Sequence, residues 1–197
     1  QPRTLDILKK IMNNPTFSSF TLVGGTALAL QLGHRLSIDL DFFSYNAIDH
    51  ETIKIELETI GNVVENYRNK IMFRVELDQI KMDFVSYKFL PLKPQIVMEE
   101  IRLSSIEDIC GMKIEAIKNR GAKKDFYDLY FLLKDKKLKD IFAIHSIKYP
   151  GNNTLQLSMS LQFFEDADKD ENPVLLREKP TWEEVKTALR NAVKEVV

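Results

Sequence analysis

Leu5, Leu8, Ile11 and Met12 fall at the spacing of one helix face, and Asn13-Asn14-Pro15 stops it, so residues 4–14 are predicted to form a short helix. Phe20-Thr21-Leu22-Val23 has strand character and runs into Gly24-Gly25. The Ala- and Leu-rich stretch 26–32 then reads as a helix, ended by Gly33. Residues 37–43 alternate. Ile38, Leu40 and Phe42 turn toward a core, while Asp39 and Asp41 share the opposite face. Residues 49–60 read as a helix with Asp49 at its N-cap. Strands are predicted over 63–67, 71–77 and 80–87, with a tight hairpin at Asp78-Gln79. Pro91 and Pro94 mark a linker.

From Ser105 the periodicity becomes helical. Ser105-Ile106-Glu107-Asp108 has the spacing of a capping box, and helices fit 105–120, 123–134 and 136–145. Tyr149-Pro150-Gly151-Asn152 is a turn. Residues 155–164 are apolar, with a pattern that fits a strand or a helix. Residues 165–180 are polar and acidic, and Thr181 caps a last helix over 182–197. The expected fold class is α+β (α/β): a short mixed sheet flanked by helices over 1–104, then a mainly helical region over 105–197.

A chain of 197 residues, 44% hydrophobic and 29% charged, fits one globular domain or a domain with an appendage, and excludes collagen, coiled coil and disorder throughout. Cys110 is the only cysteine, which excludes a scaffold stapled by internal disulfides. No apolar run reaches the roughly 18 residues of a membrane span, so no membrane association is expected. Gln1-Pro2-Arg3-Thr4 lacks the apolar stretch of a signal peptide, and a start at Gln1 points to trimming. A reducing cytoplasm is the expected compartment. The net charge of −1 excludes a chain that binds nucleic acid by its overall charge. Locally, residues 111–140 hold nine Lys or Arg against five Asp or Glu, which suits a triphosphate or a nucleic-acid backbone, and equally a solvated helical surface.

The chemistry concentrates in the first half. A strand entering Gly24-Gly25 at a helix start lets backbone approach a ligand and offers free N–H groups to a phosphate, with the Thr26 hydroxyl beside them. Asp39 and Asp41, about 6–7 Å apart along one strand, repel each other and call for a positive partner. A divalent metal fits, since hard carboxylate oxygens suit magnesium; a solvated edge-strand face is the alternative. Asp83 lies in a third alternating strand, sharing its face with Lys81 and Val85. If that strand lies beside the Asp39 strand, three carboxylates converge, a set able to hold two metals and activate a hydroxyl for in-line displacement at phosphorus.

Gly24-Gly25, thirteen residues, Asp39-Leu40-Asp41 and then Asp83 resemble the pattern of the DNA polymerase β superfamily of nucleotidyltransferases. The finer run, residues 22–30 followed by Arg35-Leu36-Ser37-Ile38-Asp39-Leu40-Asp41-Phe42-Phe43, looks like the AbiEii/AbiGii branch, nucleotidyltransferase-like toxins of bacterial abortive-infection systems. Lys113-Ile114-Glu115-Ala116-Ile117 and Lys124-Asp125-Phe126-Tyr127-Asp128 look like its lysine helix and its Arg-Asp-x-x-Asp motif, with Lys124 where arginine is usual, which keeps charge and loses the bidentate fork.

The resemblance, over about residues 20–134, implies a nucleotidyltransferase fold whose helical region completes the active-site cleft. It implies two Mg2+ ions on Asp39, Asp41 and Asp83, an NTP cradled by Gly24, Gly25 and Thr26, and Lys113 and Asp125 in the catalytic pocket. Arg35, Ser37 and Lys124 would border the nucleotide. Its implied reaction is NMP transfer to an acceptor hydroxyl, with an RNA such as the 3′ end of a tRNA as acceptor and an antitoxin as partner.

The residues alone leave alternatives open. Asp125 pairs equally well with Arg120 or Lys124, and Arg35 with an aspartate, as structural contacts. Transfer of AMP to a protein side chain uses the same carboxylates. A non-catalytic nucleotide-binding module, or an interaction protein using the acidic 165–184 stretch, are the readings outside catalysis. His34, His50 and His145 lack metal-ligand spacing, Cys110 reads as a buried thiol, and Trp182 as a packing anchor.

Overall fold

The structure is a computed structural model that describes residues 2–196; Gln1, and the final residue of the last predicted helix, Val197, lie outside the described residues. The chain forms two compact units. The first comprises residues up to Ala27 together with Ser37–Ser105, and the second Leu28–Leu36 together with the residues from Ile106 onward.

The first unit is built on a seven-stranded mixed sheet: β1 (Thr21–Val23), β2 (Leu40–Ser44), β3 (Val63–Asn69), β4 (Met72–Leu77), β5 (Ile80–Ser86), β6 (Ile96–Met98) and β7 (Ile101–Leu103), in the order β3-β4-β5-β2-β1-β7-β6. β2 runs parallel to β5 and β1 parallel to β7, and the remaining neighbours are antiparallel. Alternation decides what the sheet buries. Leu40, Phe42, Phe73, Val75, Met82 and Phe84 are wholly inaccessible on one face, and Phe42 stacks on Phe84 at 4.9 Å between centroids. Helix α1 (Pro2–Asn13) lies beside β7 and buries Leu8, Ile11 and Met12 of the face its sequence spacing predicts, with Ile7 buried where Leu5 was expected and Leu5 half-buried. Helix α3 (His50–Glu58) lies beside β3 and is capped by the Asp49 carboxylate, which accepts from the Glu51 and Thr52 amides.

Two sequence expectations change here. The strand carrying the Asp-x-Asp motif begins at Leu40 rather than at residue 37. The Asp39 carbonyl is taken by the Thr26 hydroxyl, so pairing and alternation start only afterwards. Ile38, expected in the core, is 46% exposed. The predicted linker after Pro91 instead contains a hairpin, β6–β7, whose two turn residues Glu99 and Glu100 both have positive φ (46° and 69°). Its β7 strand extends the sheet beyond β1. Arg102 in β7 donates to the carbonyls of Met12, Phe17 and Phe20 at 2.8–3.0 Å, tying β7 to the end of α1 and the turn after it.

The second unit is helical. Helix α2 (Gly24–Leu32) starts two residues earlier than its sequence reading and contributes its last turns here. Helix α4 (Ile106–Arg120) packs on α5 (Lys123–Leu132), α6 (Leu138–Lys148) and α7 (Thr154–Ser160), and α8 (Trp182–Lys194) packs on α5. The ambiguous apolar stretch therefore opens as a helix. Thr181 and Glu184 form a reciprocal capping box at α8. Trp182 is the packing anchor its position suggests, lying 5.6–5.8 Å from the rings of Phe126, Tyr127 and Phe164. Cys110 is fully buried in α4, and burial pushes its thiol up to about 12. Among the described residues no helix is long and apolar enough to cross a membrane.

Candidate active site

In the first unit the site grows out of strand register. Asp41 of β2 stands directly beside Asp83 of the parallel strand β5, and Asp83 stands beside Arg74 of β4. Register partners point to the same face, so the three side chains form a row across the sheet. This is the face opposite the sealed one; Asp41 and Asp83 are half-buried and Arg74 is exposed. The sequence-predicted adjacency of the Asp41 and Asp83 strands is thus met. Asp39 lies in the irregular segment just before β2.

Gly24 sits against Asp41. It has φ 68°, and a side-chain carbon built on it would come within 2.6 Å of Asp41 Oδ2. Only glycine satisfies both demands, and its choice brings a carboxylate to the N-terminus of α2, where the helix dipole favours negative charge. Gly25 follows, half-buried. Thr26, by contrast, is engaged internally: its hydroxyl is 2.9 Å from that of Ser37, and it also donates to the Asp39 carbonyl. Thr26 and Ser37 fasten the segment that leads into β2.

Arg74 clasps Asp83 with a bidentate pair, Nε to Oδ1 and Nη2 to Oδ2, both 2.7 Å. The bond to Asp83, its charge and then the charge of Asp41 hold the guanidinium pKa above its ordinary value. Among the described residues no three His, Cys, Asp or Glu side chains are grouped to hold a metal ion. The donor chemistry of Asp41 and Asp83 nevertheless fits magnesium: two adjacent hard-oxygen carboxylates on an accessible face, with a cation, Arg74, already drawn to them.

In the second unit the predicted residues meet in a buried ionic cluster. Lys113 Nζ of α4 lies 2.8 Å from Asp125 Oδ1 and 2.6 Å from Asp128 Oδ2, both on α5. Arg120 forks onto Asp125 at 2.8 and 3.1 Å. Arg35 forks onto Asp128 at 2.6 and 2.9 Å, and His34 Nε2 is 2.7 Å from the same carboxylate. Asp125 and Asp128 are wholly inaccessible, and Lys113 and Arg35 nearly so. Burial alone would neutralise these groups. Opposite charge outweighs it: Asp125 and Asp128 are held below the ordinary carboxylate range and Lys113 above the ordinary amine value. Lys124 points outward at the start of α5, exposed.

Sequence reading missed Arg74 and set His34 aside for lacking metal-ligand spacing, while it quoted Asp128 in a motif without giving it a role. Arg74 was recoverable from the hairpin: a two-residue turn at Asp78-Gln79 pairs Leu77 with Ile80, and stepping back along both strands places Arg74 against Asp83. Asp128 lies three residues after Asp125 on one helix, hence on one face with it.

Comparison with known proteins agrees with this architecture. Over residues 6–194 the chain matches the family described as the nucleotidyl transferase AbiEii toxin of a type IV toxin–antitoxin system. It is 34% identical over 196 residues to an uncharacterized protein of Aquifex aeolicus, covering 96% of this chain and 94% of that one. Among solved structures it resembles JHP933 from Helicobacter pylori, with a TM-score of 0.62 and 19% identity, covering 99% of this chain and 89% of that one. It also resembles MenT4, a nucleotidyltransferase toxin from Mycobacterium tuberculosis, with a TM-score of 0.59 and 15% identity over 97% of this chain and 83% of that one. A mixed sheet presenting Asp41 beside Asp83, joined to a family match that runs nearly end to end, makes this chain a member of the AbiEii nucleotidyl transferase toxin family.

Proposed function

We propose that the protein transfers a nucleoside monophosphate from an NTP to an acceptor hydroxyl, and that the Asp41–Asp83 pair is the centre of that chemistry. The observation that carries this reading is the register of β2 and β5, which brings two carboxylates side by side on the accessible face next to Gly24. In the reaction the acceptor oxygen bonds to the α-phosphorus, the bond from that phosphorus to its bridging oxygen breaks, and pyrophosphate leaves. Asp41 and Asp83 would hold magnesium, which when bound supplies the positive charge that phosphoryl transfer needs. Gly24 and Gly25 present the backbone amides at the start of α2 to the phosphates.

Lys113, Asp125 and Arg35 enter as the buried frame of the helical unit, because Lys113 is paired with Asp125 and Arg35 with Asp128. Ser37 and Thr26 fasten the segment that leads into β2. The preferred acceptor is an RNA, with a tRNA 3′ end as first candidate, in the cytoplasm. Membership of a toxin–antitoxin family implies an antitoxin as its partner.

The test incubates the full chain with magnesium, each labelled NTP in turn, and total bacterial RNA with lysate protein, beside Asp41→Asn. Label on RNA that disappears with Asp41→Asn supports the reading and names the base. Label on protein instead transfers it to AMP modification of side chains. No label in either fraction sinks the transferase reading in favour of a non-catalytic module.

A further inference from the structure

Strand register places a strong cation, Arg74, in the carboxylate row, and its geometry is specific. Its fork meets Asp83 with two bonds of 2.7 Å, the arrangement in which a guanidinium takes both oxygens of a carboxylate at once. Those are the oxygens a divalent cation would need. The third residue in the row, Asp41, adds its own attraction to Arg74. Yet the side chain is 48% exposed, so nothing like the enclosure around Lys113 holds it in place. A partly hydrated ion pair of this kind is modest in strength and exchangeable.

We propose that Arg74 is a resident counter-ion of the Asp41–Asp83 pair and sets its affinity for divalent cations, which reach Asp83 only by displacing the guanidinium. This rests on the reading of the pair as a magnesium site. Arg74 is a positioning residue here: it acts through Asp83. The arrangement keeps two adjacent carboxylates from repelling each other when no metal is present, and it weakens capture of metal by the protein alone. A displaced guanidinium keeps its charge beside the site, on the side of the sheet where phosphates would lie.

The test measures Mn2+ binding to the full chain by the loss of the free-ion electron paramagnetic resonance signal, without nucleotide. Arg74→Gln is expected to bind Mn2+ about tenfold more tightly than the unsubstituted chain. In an Asp83→Asn background the same substitution should change affinity by less than about threefold, since the clasp is already gone. Arg74→Lys, which keeps the charge and loses the fork, should fall between, and it serves in place of Arg74→Gln if that variant fails to fold by circular dichroism. Equal affinity in the unsubstituted chain and Arg74→Gln overturns the proposal. So does an equal gain in the Asp83→Asn background, which would mark a general charge effect. Because no turnover is involved, a chain that transfers no nucleotide yet shows the Arg74→Gln gain would sink the reaction and leave this proposal standing.

Discussion

The carboxylates of the sheet unit's row and those of the helical unit's cluster are paired with the same kinds of cation and put to opposite ends by burial. In the sheet unit, Asp83 is held by a single half-exposed arginine, and Asp41 lies beside it on a wetted face. In the helical unit, Asp125 and Asp128 are sealed from solvent and share Lys113, Arg35, Arg120 and His34 among them. Coulomb attraction grows as solvent is removed, but so does the cost of separating any member from its partners. Groups in the first set can therefore change partners, which chemistry requires. Groups in the second cannot do so without opening the fold.

Substitutions in the two sets should separate stability from activity. The largest effect on stability is expected from Lys113→Met, which leaves two buried carboxylates facing each other; it should cost about 3–5 kcal/mol of unfolding free energy, read by chemical denaturation. The same cluster fixes a pH dependence. Asp125 and Asp128 have folded-state pKa values below the ordinary carboxylate range, so their stabilisation is complete above about pH 4 and is lost as pH falls further, through the depressed values. Lys113 has a raised folded-state value, so its contribution is complete below about pH 10 and is lost only as pH climbs through the raised value. Unfolding curves from pH 2 to 7 should therefore show an acid limb in the unsubstituted chain that is reduced in an Asp128→Asn variant.

Gly24→Ala stands between the two regimes. The positive φ and the approach to Asp41 Oδ2 both oppose a side chain, and a loss of about 1–3 kcal/mol is expected together with impaired nucleotidyl transfer. The smallest effect on stability should come from Asp41→Asn, within about 1 kcal/mol, while transfer falls by about a hundredfold or more. A large stability loss from Asp41→Asn, or a mild one from Lys113→Met, would erase the distinction between the sets.

Much of the fold was legible because period-two and helical patterns are strong in this chain. The Gly24-Gly25 turn, the β4–β5 hairpin and the α8 cap were readable for local reasons: each depends on residues within a few positions. What escaped was set by distance in sequence. Residues 37–39 alternate like a strand, yet the Thr26 hydroxyl takes the Asp39 carbonyl and delays pairing until Leu40. The β6–β7 hairpin turns through two glutamates with positive φ, residues that carry no turn signature, and is held by Lys9 and Asn13 of α1, some 90 positions away. At the candidate site, carboxylate spacing announced Asp41 and Asp83. Whether Lys113 reached solvent was undetermined by spacing, since a lysine on a helix face reads the same with or without two aspartates packed over it.

Cys110 gives the helical unit a built-in clock. It is the chain's single thiol, wholly enclosed in α4 and held protonated by its apolar surroundings. Alkylation needs both access and a thiolate, and the closed fold denies both. Each modified molecule thus records one excursion in which α4 came away from its neighbours. The pace of labelling under native conditions counts such excursions directly, and the change of that pace with denaturant distinguishes a local breath from the loss of the whole unit.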